Sequence, residues 1–198
     1  SNLTASFLFY PSGTIKELAQ RTFTTSLALF DSLVYSGVKS DQLILKWPND
    51  VLLNKKKVSG ILLETSSDPN SERVALIIGV GLNLVSYPDL HDGQELNKMP
   101  TALNFVLGNK TPKALTMLTY IANSLQYWEK MYRDEGFLYI KDAWLKLSYD
   151  LGSKVRVSIK GEELKGSFHG ISDDGSFLLK SNETLLELST GDVFFADI

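Results

Sequence analysis

Leu43-Ile44-Leu45-Lys46-Trp47-Pro48-Asn49-Asp50-Val51-Leu52-Leu53-Asn54-Lys55-Lys56-Lys57-Val58-Ser59-Gly60-Ile61-Leu62-Leu63-Glu64 alternates strand and turn signals at close spacing. Leu43 to Trp47 reads as a β-strand that Pro48 must end, because proline has no amide hydrogen to give a sheet ladder. Val51-Leu52-Leu53 and Val58 to Glu64 read as a hairpin with Asn54 to Lys57 as its turn. Working outward, Arg73 to Leu84 is a strand apolar on both faces, which predicts a central place in the sheet. Leu3 to Phe9 is a further strand, closed by Pro11-Ser12-Gly13. Thr65 to Glu72 and residues 85–100 read as connections.

Helical spacing fills the intervals. Thr14 with Glu17 has the spacing of a capping box, and apolar residues recur at helical period to Val34 before Gly37, predicting a helix over 14–36. Thr101 to Leu107 predicts a short helix. Thr111-Pro112 reads as a cap with proline in the first helical position, opening a helix to about Arg133, and Phe137 to Leu147 reads as another. From Leu151 onward short β-runs are separated by glycine turns at Gly161, Gly175 and Gly191, which predicts a small all-β barrel and a domain boundary near Asp150.

Composition narrows the function. With 198 residues, 43% of them apolar and 22% charged, the chain suits one medium domain with or without a small one. A net charge of −3 gives no basic footprint for nucleic acid, and no apolar run reaches the roughly 20 residues that span a bilayer. There is no cysteine, which removes thiolate nucleophiles, disulfides and cysteine–zinc sites. Two histidines, His91 and His169, supply a metal centre or a serine–histidine triad poorly.

Three segments carry candidate chemistry. Lys46-Trp47-Pro48-Asn49-Asp50 ends a strand with an amide and a carboxylate, at the kind of exit where ligand crevices open; a local turn hydrogen bond is the plainer use of either group. Lys57 stands at the start of an apolar strand, and strict alternation puts it on the face of Ser59 and Ile61. Lys55 and Lys56 read as a solvated hairpin tip, whereas Lys57 adjoins Gly60, and a strand glycine often marks close approach of a ligand or another backbone. In Gly79-Val80-Gly81-Leu82-Asn83 the two glycines and Asn83 share one face, a floor of bare backbone for a flat ligand or for close packing. The third glycine of the dinucleotide fingerprint is missing.

In order and spacing, Lys-Trp-Pro-Asn-Asp, Lys-x-x-Gly-Ile-Leu-x-Glu and Ile-Gly-x-Gly-x-Asn closely resemble the catalytic core of biotin protein ligases, and the likeness extends over the whole chain. The resemblance implies an α+β fold: a mixed β-sheet catalytic domain with packed helices, like class II aminoacyl-tRNA synthetases, over 1–150, and an SH3-like β-barrel over 151–198. It implies ATP-dependent activation of biotin to biotinyl-5′-AMP. Transfer to a lysine of a biotin carboxyl carrier protein of acetyl-CoA carboxylase or a related carboxylase then follows. Lys57 is the implied catalytic cation between biotin carboxylate and phosphate, and Asp50 the group that positions or deprotonates the incoming amine. Gly60, Leu62, Gly79 and Gly81 are implied to surround biotin with Lys57, and Asn49, Asp50 and Asn83 to contact the adenylate. Magnesium is expected with ATP, without a protein metal cage; the family implies a cytoplasmic monomer or homodimer.

The family carries an arginine- and glycine-rich biotin loop before the segment matching Asn2, so the chain reads as N-terminally truncated and, taken alone, as weak in biotin binding. Lipoate or octanoyl ligases share the fold, but their lysine motif usually lacks the Trp-Pro pair present at Trp47-Pro48. A non-catalytic binding fragment is the alternative from another class.

Overall fold

A computed structural model of the chain describes residues 1–67, 74–87 and 99–195. Strands β1 (Leu3–Phe9), β2 (Leu43–Lys46), β3 (Asp50–Leu53), β4 (Lys56–Ser67) and β5 (Val74–Leu82) form one antiparallel sheet in the order β1-β5-β4-β3-β2. A cis Trp47–Pro48 peptide lies in the turn joining β2 to β3, and Lys46 pairs with Asp50 across it. The hairpin turn is Asn54-Lys55 alone, with positive φ at both residues (48° and 63°), so Lys56 and Lys57 belong to β4.

One face of this sheet is the core. Leu76, Ile78, Val80 and Leu82 of β5, Ile61 of β4 and Val51 of β3 are buried beneath helices. The other side of β5 carries Gly79 and an exposed Gly81, so that strand is interior in the sheet but bare on one face. The helix predicted over 14–36 forms as α1 (Ile15–Ala19) and α2 (Arg21–Tyr35), which meet at Gln20. The capping box at its start is complete: Thr14 accepts from the Glu17 amide at 3.3 Å, and the Glu17 carboxylate accepts from the Thr14 amide at 2.6 Å.

After α3 (Asn104–Leu107) comes α4 (Ala114–Leu145), which Gly136 interrupts with φ 79° and ψ 179°. That break separates the two helices expected here. The start differs from expectation: Lys113 is the N-cap and makes no side-chain capping bond, so Pro112 precedes the helix instead of opening it. Phe23 of α2 meets Phe137 and Trp144 edge-on at 5.3 Å, tying the end of α4 to α2.

Strands β6 (Lys154–Ile159), β7 (Glu162–Ile171), β8 (Phe177–Ser181), β9 (Thr184–Leu188) and β10 (Asp192–Phe195) form a second antiparallel sheet. Its order is β10-β6-β7-β8-β9, and among the described residues no β9–β10 ladder closes it, so the predicted barrel is an open, curled sheet around Phe168, Phe177 and Leu179. Glycine turns locate strands along the chain, whereas closure also requires matched tilt and stagger. The β7–β8 turn plugs into the first unit. Trp47 Nε1–H donates to the Gly175 carbonyl at 3.1 Å, and its ring lies 5.5 Å from that of Phe177. Gln20 donates to the Asp173 carbonyl at 3.1 Å, and Lys16 and Lys141 pair with Asp174 and Asp173.

Candidate active site

The register of the first sheet aligns a transverse row of residues. Lys46 pairs with Asp50, Asp50 with Gly60, Gly60 with Gly81, and Gly81 with Thr4. Paired residues of an antiparallel sheet project from the same face, so these five positions share the face opposite the core. Leu62, which is largely exposed, pairs with Gly79 beside this row.

Lys57 reaches that face through a register shift. Val51 pairs with Ser59 and Leu52 with Lys57, which leaves Val58 as the extra residue of a β-bulge. The inserted residue reverses the alternation, so Val58 and Ser59 are both buried while Lys57 turns to the face of Gly60. The expectation that Lys57 shares a face with Ser59 and Ile61 is thereby corrected.

A Cβ built on Gly60 would lie 3.1 Å from Lys57 Cε and 3.2 Å from its Nζ. The missing side chain of Gly60 is therefore the space through which Lys57 crosses to Asp50. A Cβ at Gly81 would meet nothing within 4 Å, so the open floor lies there.

Two ammonium groups serve one carboxylate. Lys57 Nζ lies 2.6 Å from Asp50 Oδ1, and Lys46 Nζ lies 3.7 Å from Asp50 Oδ2. Their side chains are exposed to different degrees, 41% for Lys57, 13% for Asp50 and 6% for Lys46. The inner pair is thus fixed, and the outer cation faces solvent. The three line a cavity of about 550 Å³ together with Asn49 and, from the second sheet, Lys160 and Asp192. Gly60, Leu62, Gly79, Gly81 and Asn83 lie outside its walls, the glycines and Leu62 on the adjoining open face.

The two asparagines hold the frame. Asn49 Nδ2 donates to the Ile61 carbonyl at 2.7 Å while its own carbonyl accepts from the Ile61 amide at 3.0 Å. Asn83 Nδ2 donates to the Thr101 carbonyl at 3.0 Å, and Thr101 in turn donates its amide to the Lys57 carbonyl at 2.9 Å. The Lys57 amide donates to the Met99 carbonyl at 2.9 Å, so the Lys57 backbone is held between β3 and this segment.

Two participants were not singled out in the sequence. Asn2 Oδ1 accepts from the amides of Leu84, Val85 and Ser86, at 3.1, 3.1 and 3.3 Å, fixing the chain just after β5; an asparagine before a strand was the available signal. Lys46 stood inside the motif, but its burial comes from the second sheet. Among the described residues no group of three or more histidine, aspartate or glutamate side chains converges as a metal site; His91 lies outside them.

A model of the biotin/lipoate A/B protein ligase family matches residues 1–83, and a model of the biotin protein ligase C-terminal domain matches residues 150–196. The biotin–[acetyl-CoA-carboxylase] ligase of Paracoccus denitrificans is 32% identical over 195 residues, covering 98% of this chain and 80% of that protein. The chain belongs to the biotin protein ligase family. Another member, the bifunctional ligase/repressor BirA of Bacillus subtilis, is 31% identical over 193 residues, and the match takes in 95% of this chain but 56% of BirA. The solved biotin protein ligase of Aquifex aeolicus in complex with biotin and ATP superposes with a TM-score of 0.77 at 25% identity, covering 98% of this chain and 78% of that one. The α+β arrangement is thus the biotin protein ligase fold.

Proposed function

We propose that this chain carries the adenylation and transfer chemistry of a biotin protein ligase, with residues 1–150 as catalytic domain and 151–198 as a second domain. The observation that carries it is the Lys57 ammonium, lying across Gly60 onto Asp50 beside a glycine floor. In the first step a biotin carboxylate oxygen attacks the α-phosphorus of ATP; the new P–O bond forms as the bond to pyrophosphate breaks. Two anions must meet there, and a fixed cation facing both offsets their repulsion where charge is most concentrated. Lys57 has the reach and exposure for that task.

In the second step the neutral amine of a carrier lysine attacks the acyl carbon of biotinyl-5′-AMP. The amide C–N bond forms, the C–O bond to phosphate breaks, and AMP leaves with the electron pair. Asp50 is the carboxylate available to take the amine proton. Gly60, Leu62, Gly79 and Gly81 would floor biotin, and Asn49, Asp50 and Asn83 would border the adenylate, Asn49 and Asn83 chiefly by holding the strands in place. Asp50 already neutralises part of two ammonium charges, so a magnesium ion suits the nucleotide's own phosphates better than a protein cage; bound there, it would neutralise phosphate charge. The acceptor is a biotin carboxyl carrier domain of acetyl-CoA carboxylase or a related carboxylase. The cytoplasm is the proposed compartment, and the protein acts as a monomer or homodimer.

The test is direct. The full-length protein is given ATP, magnesium and either biotin or lipoate, and the acyl-adenylate and labelled carrier domain are measured. Biotinyl-adenylate and biotinylated carrier are expected; lipoyl products alone would overturn the assignment.

A further inference from the structure

Lys46 is a buried lysine on the site face. A lysine at the end of a strand ordinarily snorkels to water, but here the second sheet covers it: its Nζ lies 5.9 Å from the centre of the Phe194 ring, and Arg156 lies over the same ring at 4.3 Å. Aromatic faces attract cations at such separations, more so when solvent is excluded. The Lys46 ammonium is therefore held between Phe194 on one side and Asp50 Oδ2, at 3.7 Å, on the other.

Lys57 and Lys46 occupy different oxygens of Asp50 and differ in freedom. The exposed Lys57 can swing to an arriving phosphate or carboxylate. When it does, Asp50 loses its nearest counter-charge while still enclosed in the cavity, beside Lys160 and Asp192 of the second sheet. A partly buried carboxylate that loses its nearest counter-charge is disfavoured, because little water reaches it to take that charge's place. Lys46, which cannot leave, is the group that meets this need.

We propose that Lys46 is a positioning residue for the transfer step, holding the Asp50 carboxylate in place while Lys57 serves the adenylate, and that Phe194 of β10 holds Lys46 in turn. This rests on the ligase reading and deepens it: the second sheet contributes to amine transfer through a fixed charge at the site, in addition to any part in carrier docking. The bonds made and broken are those of the transfer step above, with the amine proton passing to Asp50; Lys46 exchanges no proton and touches no substrate.

The test uses the full-length protein and purified biotinyl-adenylate, with two acceptors: the carrier domain's lysine and hydroxylamine. Hydroxylamine attacks as a small neutral molecule and reaches the acyl carbon without Asp50. Lys46→Met is expected to slow transfer to carrier by tenfold or more while capture by hydroxylamine stays within about twofold of wild type, and Lys46→Arg is expected to recover most of the loss. Wild-type transfer in Lys46→Met overturns the proposal. So does an equal loss with both acceptors, or an arginine variant as slow as the methionine one. If Lys46→Met melts below the assay temperature, Phe194→Leu decides instead. It retains both charges and is expected to lose several-fold with the same split between acceptors, and unchanged transfer in that variant overturns the proposal. A wild-type protein that forms no biotinyl-adenylate from biotin and ATP would defeat the ligase reading itself, a distinct result.

Discussion

Gly60→Ala separates folding from chemistry at the site. The added methyl would sit 3.1 Å from Lys57 Cε, 3.2 Å from Nζ and 3.8 Å from Asp50 Oδ1. The close atoms are the far end of a flexible side chain, so the lysine gives way by a few tenths of an ångström or swings off, and the backbone stays. Alanine also loses less conformational freedom on folding than glycine, so the net change in stability is within about 1 kcal/mol. The catalytic effect follows how far the ammonium moves: displacing a positioned group by about 1 Å costs on the order of 100-fold in rate, or about 2.7 kcal/mol in activation free energy, and a shift of a few tenths of an ångström costs correspondingly less. Biotin-dependent pyrophosphate release by the full-length protein and a urea midpoint measured alongside give the two numbers. The expected outcome is a rate lower by roughly tenfold to 100-fold with an almost unchanged midpoint. A wild-type rate would refute the view that Lys57 acts from its position over Gly60. A midpoint that collapsed with the rate would refute it too, by assigning Gly60 to packing.

Lys57→Ala should lower adenylate formation by roughly 10²–10³-fold with the fold intact, whereas Lys55→Ala, at the exposed hairpin tip, should change it little; pyrophosphate release measured for both distinguishes the two lysines. Trp47→Phe removes the indole donor to the Gly175 carbonyl, and a loss of about 1 kcal/mol in thermal or urea unfolding is expected, provided the Phe177 contact is kept. Burial raises the Asp31 carboxyl above its ordinary value, against the opposing hydrogen bond from Trp128 Nε1 at 2.8 Å. The folded state therefore binds this proton more tightly than the unfolded chain, so the group's stabilising contribution is present at acid pH and fades as pH rises through the folded value. Asp31→Asn should raise stability relative to wild type at neutral pH and flatten that part of the pH profile, as melts from about pH 4 to about pH 7 would show.

The parts of the fold written in local pattern were legible. Leu3–Phe9 coincides with its predicted strand, the Thr14–Glu17 box caps α1, and the division between two late helices falls at Gly136. What local pattern misses is parity. Val58 is apolar, and Ser59 is small and donates its hydroxyl to the Gly81 carbonyl at 2.6 Å, so both can be buried and nothing in their identity marks the residue that β3 leaves unpaired. The bulge is fixed by pairing between strands, and a single inserted residue reverses every assignment of face before it. Alternation therefore puts Lys57 on the core side, although the motif around it marks it as a site residue. Closure of the second sheet was illegible for a related reason, since it depends on how strands tilt against one another.

Lys46 shows the same limit at longer range, and it explains why Trp47–Pro48 stands where it does. The residues just before and just after strand β2's end look in opposite directions: Lys46 toward Asp50 and Phe194, Trp47 toward Gly175 and Phe177. Both depend on a sheet whose strands begin more than a hundred residues later. Trp47 fixes where the second sheet docks, through its indole donor and the β7–β8 turn. That docking brings β10 over Lys46 and closes the cavity whose walls include Lys57, Lys160 and Asp192. A single turn thus couples the position of the second sheet to the arrangement of charges on the site face, so a substitution at Trp47 should affect Asp50 only as far as it moves β10. Trp47→Phe, which retains a ring for Phe177, should then weaken stability more than it weakens transfer to the carrier lysine, while Phe194→Leu should do the reverse; equal effects of both on both measures would mean that the docking turn and the buried ammonium are not separate devices.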